Sequence, residues 1–193
     1  MKRLLIIILL MISTLGYCQP PSEKDAYIAG TFAFDMRNAT FGSKPTGDNP
    51  ALDYMIGANV VGDNVDLSLG YENFNKIKFD RMFVGLGYHF PLYAYVFNEE
   101  IKTTFQPSLE ASVISRTWTE NYTYQGKAYS EQIKGSFFTP SLNLGFRWDV
   151  TDHIGFEFDT HFCPRPDIKY LYNDDKIVIS NYFKVVYKFT DYK

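Results

Sequence analysis

Residues 136–163 read SFFTPSLNLGFRWDV, then TDH, then IGFEFDTHFC, from Ser136 to Cys163. Taken alternately, they separate into two sets. Phe138, Pro140, Leu142, Leu144, Phe146, Trp148 and Val150 are large and mostly apolar, while Thr139, Ser141, Asn143, Gly145, Arg147 and Asp149 lie between them. After the turn residues Thr151–His153 the alternation resumes. Ile154, Phe156, Phe158, Thr160 and Phe162 fall on one side, and Gly155, Glu157, Asp159, His161 and Cys163 on the other. A period of two is that of a β-strand, in which side chains of like parity share a face. The stretch therefore predicts a hairpin with one apolar and one ionic face. A soluble hairpin with a solvated outer face fits, and so does a wall of a membrane barrel with a wet interior.

The 193-residue chain has no compositional break, which predicts one domain. Aromatic residues make up 18% of it, with 17 Phe and 15 Tyr, and strand-forming residues dominate. A mean hydropathy of −0.20 does not flag a membrane protein, but alternating barrel strands dilute that signal. The net charge of −3 gives no electrostatic case for nucleic-acid binding.

The N-terminus has the form of an export signal. Lys2 and Arg3 precede the apolar run Leu4–Ile12, and Gly16 and Cys18 stand at the −3 and −1 positions of a cleavage site. Nine apolar residues are too few to cross roughly 30 Å of hydrocarbon as a helix. The expectation is a signal peptide over 1–18, Sec-dependent export, a short lead over 19–24 and a β-barrel domain over 25–193. The alternative, acylation of Cys18 as a lipoprotein, is disfavoured by the bulky Tyr17, and either route exports the chain. With Cys18 removed, Cys163 has no disulfide partner and is read as a small filler.

The same alternation recurs along the chain. Strands are predicted over Asp25–Met36, Ala51–Val61, Val65–Asn73, Asp80–Phe90, from Thr103 to Arg116, through the two arms of the opening stretch, and over Lys176–Phe189. A tight turn at Gly62-Asp63 would pair Val60 with Val65 and keep both apolar sets on one face. Pro91–Lys102 reads in two ways: a turn at Asn98-Glu99 pairing Val96 with Ile101 between unusually long strands, or an irregular segment after Pro91. Arg37–Pro50, Thr117–Gly135 and Pro164–Asp175 read as long loops, the second bearing Tyr122, Tyr124 and Tyr129. The total is eight strands, with long connections alternating imperfectly with tight turns.

The polar face decides between the two solvents. A soluble barrel exposes that face to water and fills it with Lys and Glu. Here it carries Gly57, Gly70, Gly85, Gly87, Gly145 and Gly155 among isolated charges. Glycine merely weakens a solvated strand, but inside a narrow barrel it makes room for long side chains such as Arg81, Glu110 and Arg147. The apolar face has no charge at the strand centres, where an outward Arg or Lys at mid-membrane would cost roughly 2–4 kcal/mol. Tyr71, Tyr88, Phe90, Trp148, Phe162, Tyr187 and Phe189 stand near strand ends, where interfacial aromatic girdles belong. The fold class expected is an all-β, eight-stranded, antiparallel up-and-down transmembrane β-barrel.

On the export signal, the alternation, the strand-turn-strand GFRWDVTDHIGFEFD and the closing Val185–Phe189, the chain resembles the small eight-stranded outer-membrane barrels of the OmpA-barrel and OmpX type. The resemblance spans roughly residues 25–189 and implies a Gram-negative outer-membrane location, a lipid bilayer as partner, and contact with the barrel-assembly machinery through the C-terminal strand. Members usually end on the aromatic residue that this machinery recognises, whereas Thr190–Lys193 follow Phe189 here.

Glu157, Asp159 and His161 are successive inward residues about 7 Å apart. One strand cannot close a tetrahedral metal shell, so these residues are read, with Arg81, Glu110, Arg147 and Lys184, as an internal ion-pair network. His89, His153 and His161 are followed two residues on by Pro91, Gly155 and Cys163, so the His-x-Ser arrangement of small-barrel lipid A deacylases is absent. No nucleophile elbow, phosphate loop or zincin motif occurs either. The expectation is a non-enzymatic, porin-like outer-membrane barrel without a cofactor. It would have a closed polar lumen and act through its extracellular loops in envelope integrity, adhesion or partner binding. A narrow OmpW-like channel for small or hydrophobic solutes is the alternative, and a secreted soluble ligand-binding barrel the second alternative.

Overall fold

The computed structural model describes residues 26–42, 49–96, 99–168 and 177–192. The expected signal peptide over 1–18 and lead over 19–24 lie outside the described residues, as do 43–48 and 169–176 of two of the expected loops. Nine strand segments follow one another: β1 (Ala26–Asp35), β2 (Tyr54–Gly62), β3 (Val65–Phe74), β4 (Phe79–Tyr88), β5 (Phe90–Val96), β6 (Glu99–Tyr124), β7 (Lys127–Asp149), β8 (Ile154–Pro164) and β9 (Ile177–Tyr192). β4 and β5 lie in one register along β6, from Phe79↔Arg116 to Gly87↔Ser108 and on from Phe90↔Phe105 to Val96↔Glu99. They are one barrel strand interrupted at His89, so the barrel has eight strands. Each pairs antiparallel with its sequence neighbour, and β1 pairs with both β2 and β9, which closes the sheet on itself. Closure leaves the barrel wall no free edge.

The connections differ at the two ends. At one end, called here the turn end, β2 and β3 meet across Asp63-Asn64, both left-handed at φ 49° and 68°. That is the geometry of a type I′ hairpin turn, which Asp and Asn tolerate better than most residues. The turn lies one residue later than expected, so Val60 faces Leu67 rather than Val65, and the apolar sets still share a face. Between β5 and β6, Val96 faces Glu99 and Ala94 faces Ile101, so the long-strand reading of 91–102 describes this region, again one residue out of register. At the opposite, loop end lie the short helix α1 (Met36–Thr40), a 3-10 turn over Asn75–Ile77 ending on the left-handed Lys78, and the segment after β8.

The largest departure from expectation is Thr117–Gly135. It is the outer half of the β6–β7 hairpin, paired in register from Arg116↔Gly135 to Tyr124↔Lys127. Its polarity suggested a loop, but Thr117, Trp118, Thr119, Tyr122, Thr123 and Tyr124 are strand formers by shape. Gln125 and Gly126, at φ 49° and 76°, complete a second tight turn.

The distribution of polarity is inverted. Among the described residues 20 polar or charged side chains are buried against 11 hydrophobic ones. Leu69, Leu86, Leu109 and Phe138 are 60%, 60%, 67% and 71% exposed on the outer face. A water-soluble core has the opposite arrangement. The buried apolar residues gather mainly at the barrel's two ends: Phe74, Phe79, Ile114 and Cys163 at the loop end, and Tyr27, Ala29, Val61 and Val186 at the turn end. Charges fill the space between.

Candidate functional site: the filled lumen and the projecting hairpin

Strand alternation aims one residue in two into the lumen, and the glycines set how closely their neighbours approach. A Cβ on Gly155 would lie 2.7 Å from Asp149 Oδ1 and 2.9 Å from Arg147 Nε. The missing side chain is therefore what lets that ion pair sit against the wall.

Most of the inward charges among the described residues fall into three groups, apart from Asp66, which accepts from Asn59 and lies 3.6 Å from His89. In the middle, Arg81 reaches Glu72 through Nε at 2.6 Å, Glu110 through Nη1 at 3.4 Å and His161 Nδ1 through Nη2 at 3.3 Å. Tyr182 donates to Glu72 at 2.8 Å, and Ser141 to Glu110 at 3.2 Å. Beside it, Lys184 bridges Glu157 at 3.2 Å and Asp159, while Asn143 donates to Asp159 at 3.2 Å. His161 Nε2 lies 3.7 Å from Asp159 and links the two groups. Nearer the turn end, Arg147 donates to Asp149 at 2.8 Å and to the Tyr27 hydroxyl at 2.5 Å, and Lys188 completes that group through Asp149 at 3.1 Å. Arg147 and Glu157 are register partners, yet each turns to a different ion.

Thus six of the seven inward residues singled out from the sequence, Arg81, Glu110, Glu157, Asp159, His161 and Lys184, stand together, and Arg147 stands apart. Glu72, Tyr182, Tyr27, Asp149 and Lys188 were not among them, although the inward parity of their strands marks every one. A cavity of about 20 Å³ remains, lined by residues including Asn59, Asp66, Gln106, Glu110, Asn143 and Lys184. It has room for roughly one water.

At the loop end the mouth is covered. Arg165 lies 4.1 Å above the Phe79 ring and donates to Asp167, which also accepts from Arg116 at 3.0 Å. Burial opposes the Asp167 charge, but the two guanidiniums hold its carboxyl below the usual range. Across the mouth, Asn38 of α1 donates its backbone N–H to Asp35 at 2.9 Å and its side chain to Asp53 at 3.0 Å. Burial, reinforced by Glu72 and Asp35, pushes Asp53 up to about 9. No periodicity in the sequence marks the Arg165–Asp167 contact, because it belongs to a loop.

The seven strand-end aromatics fall at two levels. Tyr71 and Phe162 lie toward the loop end, half-buried on the outer face, and the Tyr71 hydroxyl donates to Asp80. Tyr88, Phe90, Trp148, Tyr187 and Phe189 lie toward the turn end, all exposed. Some of them touch, with Tyr88–Phe90 centroids 4.7 Å apart and Tyr187–Phe189 5.3 Å apart. Between Ile28 and Ala29 the β1–β9 register shifts past Phe189, a bulge that re-aims the strand before its last residues.

The β6–β7 hairpin leaves the barrel at the loop end. On its outer face the last apolar rung is Val113↔Phe138. Above it come Ser115↔Ser136, Thr117↔Lys134, Thr119↔Gln132 and Asn121↔Ser130. The inner face changes as well, from Glu110 and Ser112 below to the aromatic rungs Trp118↔Ile133 and Tyr122↔Tyr129 above, with Glu120↔Glu131 between them. Tyr122 and Tyr129 stack 5.5 Å apart at 14°, and both are exposed.

A closed eight-stranded barrel with ions inside and Leu and Phe outside is a barrel of the transmembrane class, and its fold is that of the small outer-membrane β-barrels. The N-terminal β-barrel domain of Pseudomonas aeruginosa OprF matches it with a TM-score of 0.51 at 13% identity, over 86% of this chain and all of that one. Neisserial surface protein A matches at 0.43 and 13% identity over 89% and 100% of the two chains, and a de novo designed transmembrane β-barrel at 0.45 and 11% over 88% and 99%. At these identities the likeness is one of fold. No protein-family model and no curated protein sequence matches the chain.

Proposed function

We propose that the protein is a non-enzymatic outer-membrane barrel, exported by the signal at 1–18 and assembled through β9, whose lumen is a structural plug and whose β6–β7 hairpin is its working surface. The observation that carries this reading is the change of polarity at Val113↔Phe138. The outer face is apolar only as far as a bilayer would cover it, yet the two strands continue past that level to Tyr124 and Lys127. Paired chain held clear of the membrane has no role in spanning it, and it is suited to binding a partner or a surface outside the cell. The lumen's ion pairs and its small cavity support a plug, because eight strands leave space for side chains and little else.

The test is a variant in which 118–133 are replaced by Asn-Gly. It should remain in the membrane fraction and keep its heat-modifiable gel mobility, while cells displaying it lose adhesion to the surfaces that wild-type cells bind. Recovery of the wild-type protein in the soluble fraction would overturn the membrane reading. Sustained single-channel steps in a planar bilayer would overturn the plug and favour the narrow channel.

A further inference from the structure

On the inner face of the hairpin, Glu120 stands directly opposite Glu131, between the Trp118↔Ile133 rung and the Tyr122↔Tyr129 rung. Like charges opposite one another weaken a strand pair, and opposed Cβ atoms are only about 5 Å apart. Both residues are exposed, and among the described residues neither has a basic partner. The Trp118 indole donates to Glu120 at 3.2 Å and so fixes that carboxylate in place. The other lysines of the hairpin do not relieve the repulsion. Lys134 is on the opposite face, and Lys127 is two rungs away, about 14 Å along the strand. A local rule broken without compensation is the mark of a site shaped by something other than stability.

Two further features say what would complete the site. Aromatic faces on either side of a carboxylate pair favour a cation, which gains from the ring quadrupoles as well as from the charges. Among the described residues, moreover, no strand lies on the far side of β6 beyond Arg116, where Thr117 donates its N–H to the Lys78 carbonyl, and none lies on the far side of β7 from Lys127 as far as Pro140. The β6 edge from Trp118 to Tyr124 contains neither Pro nor Lys, the usual guards against strand addition.

We propose that this edge and face together dock an extended, basic segment of a partner polypeptide. The segment adds along β6, and an Arg or Lys side chain is seated beside Glu120 and Glu131 against the Tyr122–Tyr129 stack. Backbone pairing supplies affinity, and the carboxylate pair selects the sign of the charge. This rests on the hairpin being the working surface, and it names the chemistry of the partner.

The probe is a synthetic octapeptide of alternating Thr and Arg, titrated into the full-length protein in detergent. Binding is followed by Trp fluorescence and by calorimetry at two salt concentrations. Binding should weaken with salt, and Glu120→Gln with Glu131→Gln should weaken it about fivefold to tenfold. That double variant removes a repulsion, so its hairpin should be no less resistant to protease than the wild type, which separates lost binding from lost fold. An alternating Thr-Glu peptide should not bind. Equal affinity for the wild type and the double variant, equal binding of the acidic peptide, or occupation of the carboxylate pair by calcium alone would each overturn the proposal. If the hairpin-replacement variant loses surface binding while the basic peptide fails to bind, only this inference falls. If that variant binds surfaces normally, the proposed function falls with it.

Discussion

Arg81 is 2% exposed and lies between two carboxylates on different strands, Glu72 and Glu110. Replacing it with Met would leave both acids buried without their shared cation. A loss of about 3–5 kcal/mol is expected, measured as a shift in the urea midpoint of the refolded barrel. Asp53 behaves differently because among the described residues no cation pairs with it, and Arg165 opposes the effect of burial only weakly. Its carboxyl is pushed from 3.8 up to about 9, so the folded protein holds a proton there that the unfolded chain releases. Stability from this group is full below about pH 4 and falls as pH rises toward 9. Asp53→Asn should remove that slope, with the unfolding midpoint raised over wild type at pH 8 and little changed at pH 4. The inward placement of Arg81 was readable from alternation alone, since its strand runs Arg81, Phe83, Gly85, Gly87 on one side. Which acid it chooses was not readable, because a partner across the lumen is fixed by barrel closure and rotamer, not by spacing along a strand. Asp53 shows the same limit: the alternation over Ala51–Val61 turns it inward, between exposed Leu52 and buried Met55, but spacing along the strand does not name Asn38 as its partner.

The outer half of the β6–β7 hairpin, Thr117–Gly135, reads as a loop in the sequence because a polar stretch lacking alternation between apolar and polar residues resembles a connection. Its alternation is present, but of another kind: aromatic rungs on one face against Thr, Asn, Ser and Gln on the other. Both faces meet water, so the contrast that marks a half-buried strand is weak there. Turn chemistry was the signal available, in Gln125-Gly126. Gly126 has φ 76°, where a β-branched residue is strained. Gly126→Val should cost the hairpin about 1–2 kcal/mol, seen as faster protease cleavage between 117 and 135, while the heat-modifiable mobility of the barrel is unchanged. Conversely, the β2–β3 turn at the other end is located by the sequence to within one residue, since a hairpin register tolerates only shifts that keep each face together.

For the molecule as a whole, which side faces lipid is the decisive property, and it can be tested at one position. Leu109 lies midway along the apolar run of β6, 67% exposed and flanked by Leu86 and Leu142. On a soluble barrel, Leu109→Arg would be neutral or would improve solubility. In a bilayer it should cost roughly 2–4 kcal/mol, read as reduced folding yield into lipid vesicles and a lower unfolding midpoint. The eight-strand count and the face assignment were legible because every strand obeys the same alternation, and the repetition outweighs any single ambiguous segment. A binding partner of the kind proposed would not be legible, because affinity resides in a few exposed side chains whose spacing carries no period.

The seam between β1 and β9 has a consequence in time. Ala26 pairs with Tyr192, so the first strand of the wall meets the last, and the ladder joining them spans nearly the whole described chain. Every other ladder links sequence neighbours and can form as soon as its hairpin exists. This one must wait for the C-terminus to arrive, and it carries the largest loop-closure entropy in the molecule. Until then the first strand's outward edge stays unpaired. The slowest step of assembly, and the moment of greatest risk of joining another chain, should therefore be the closing of this seam.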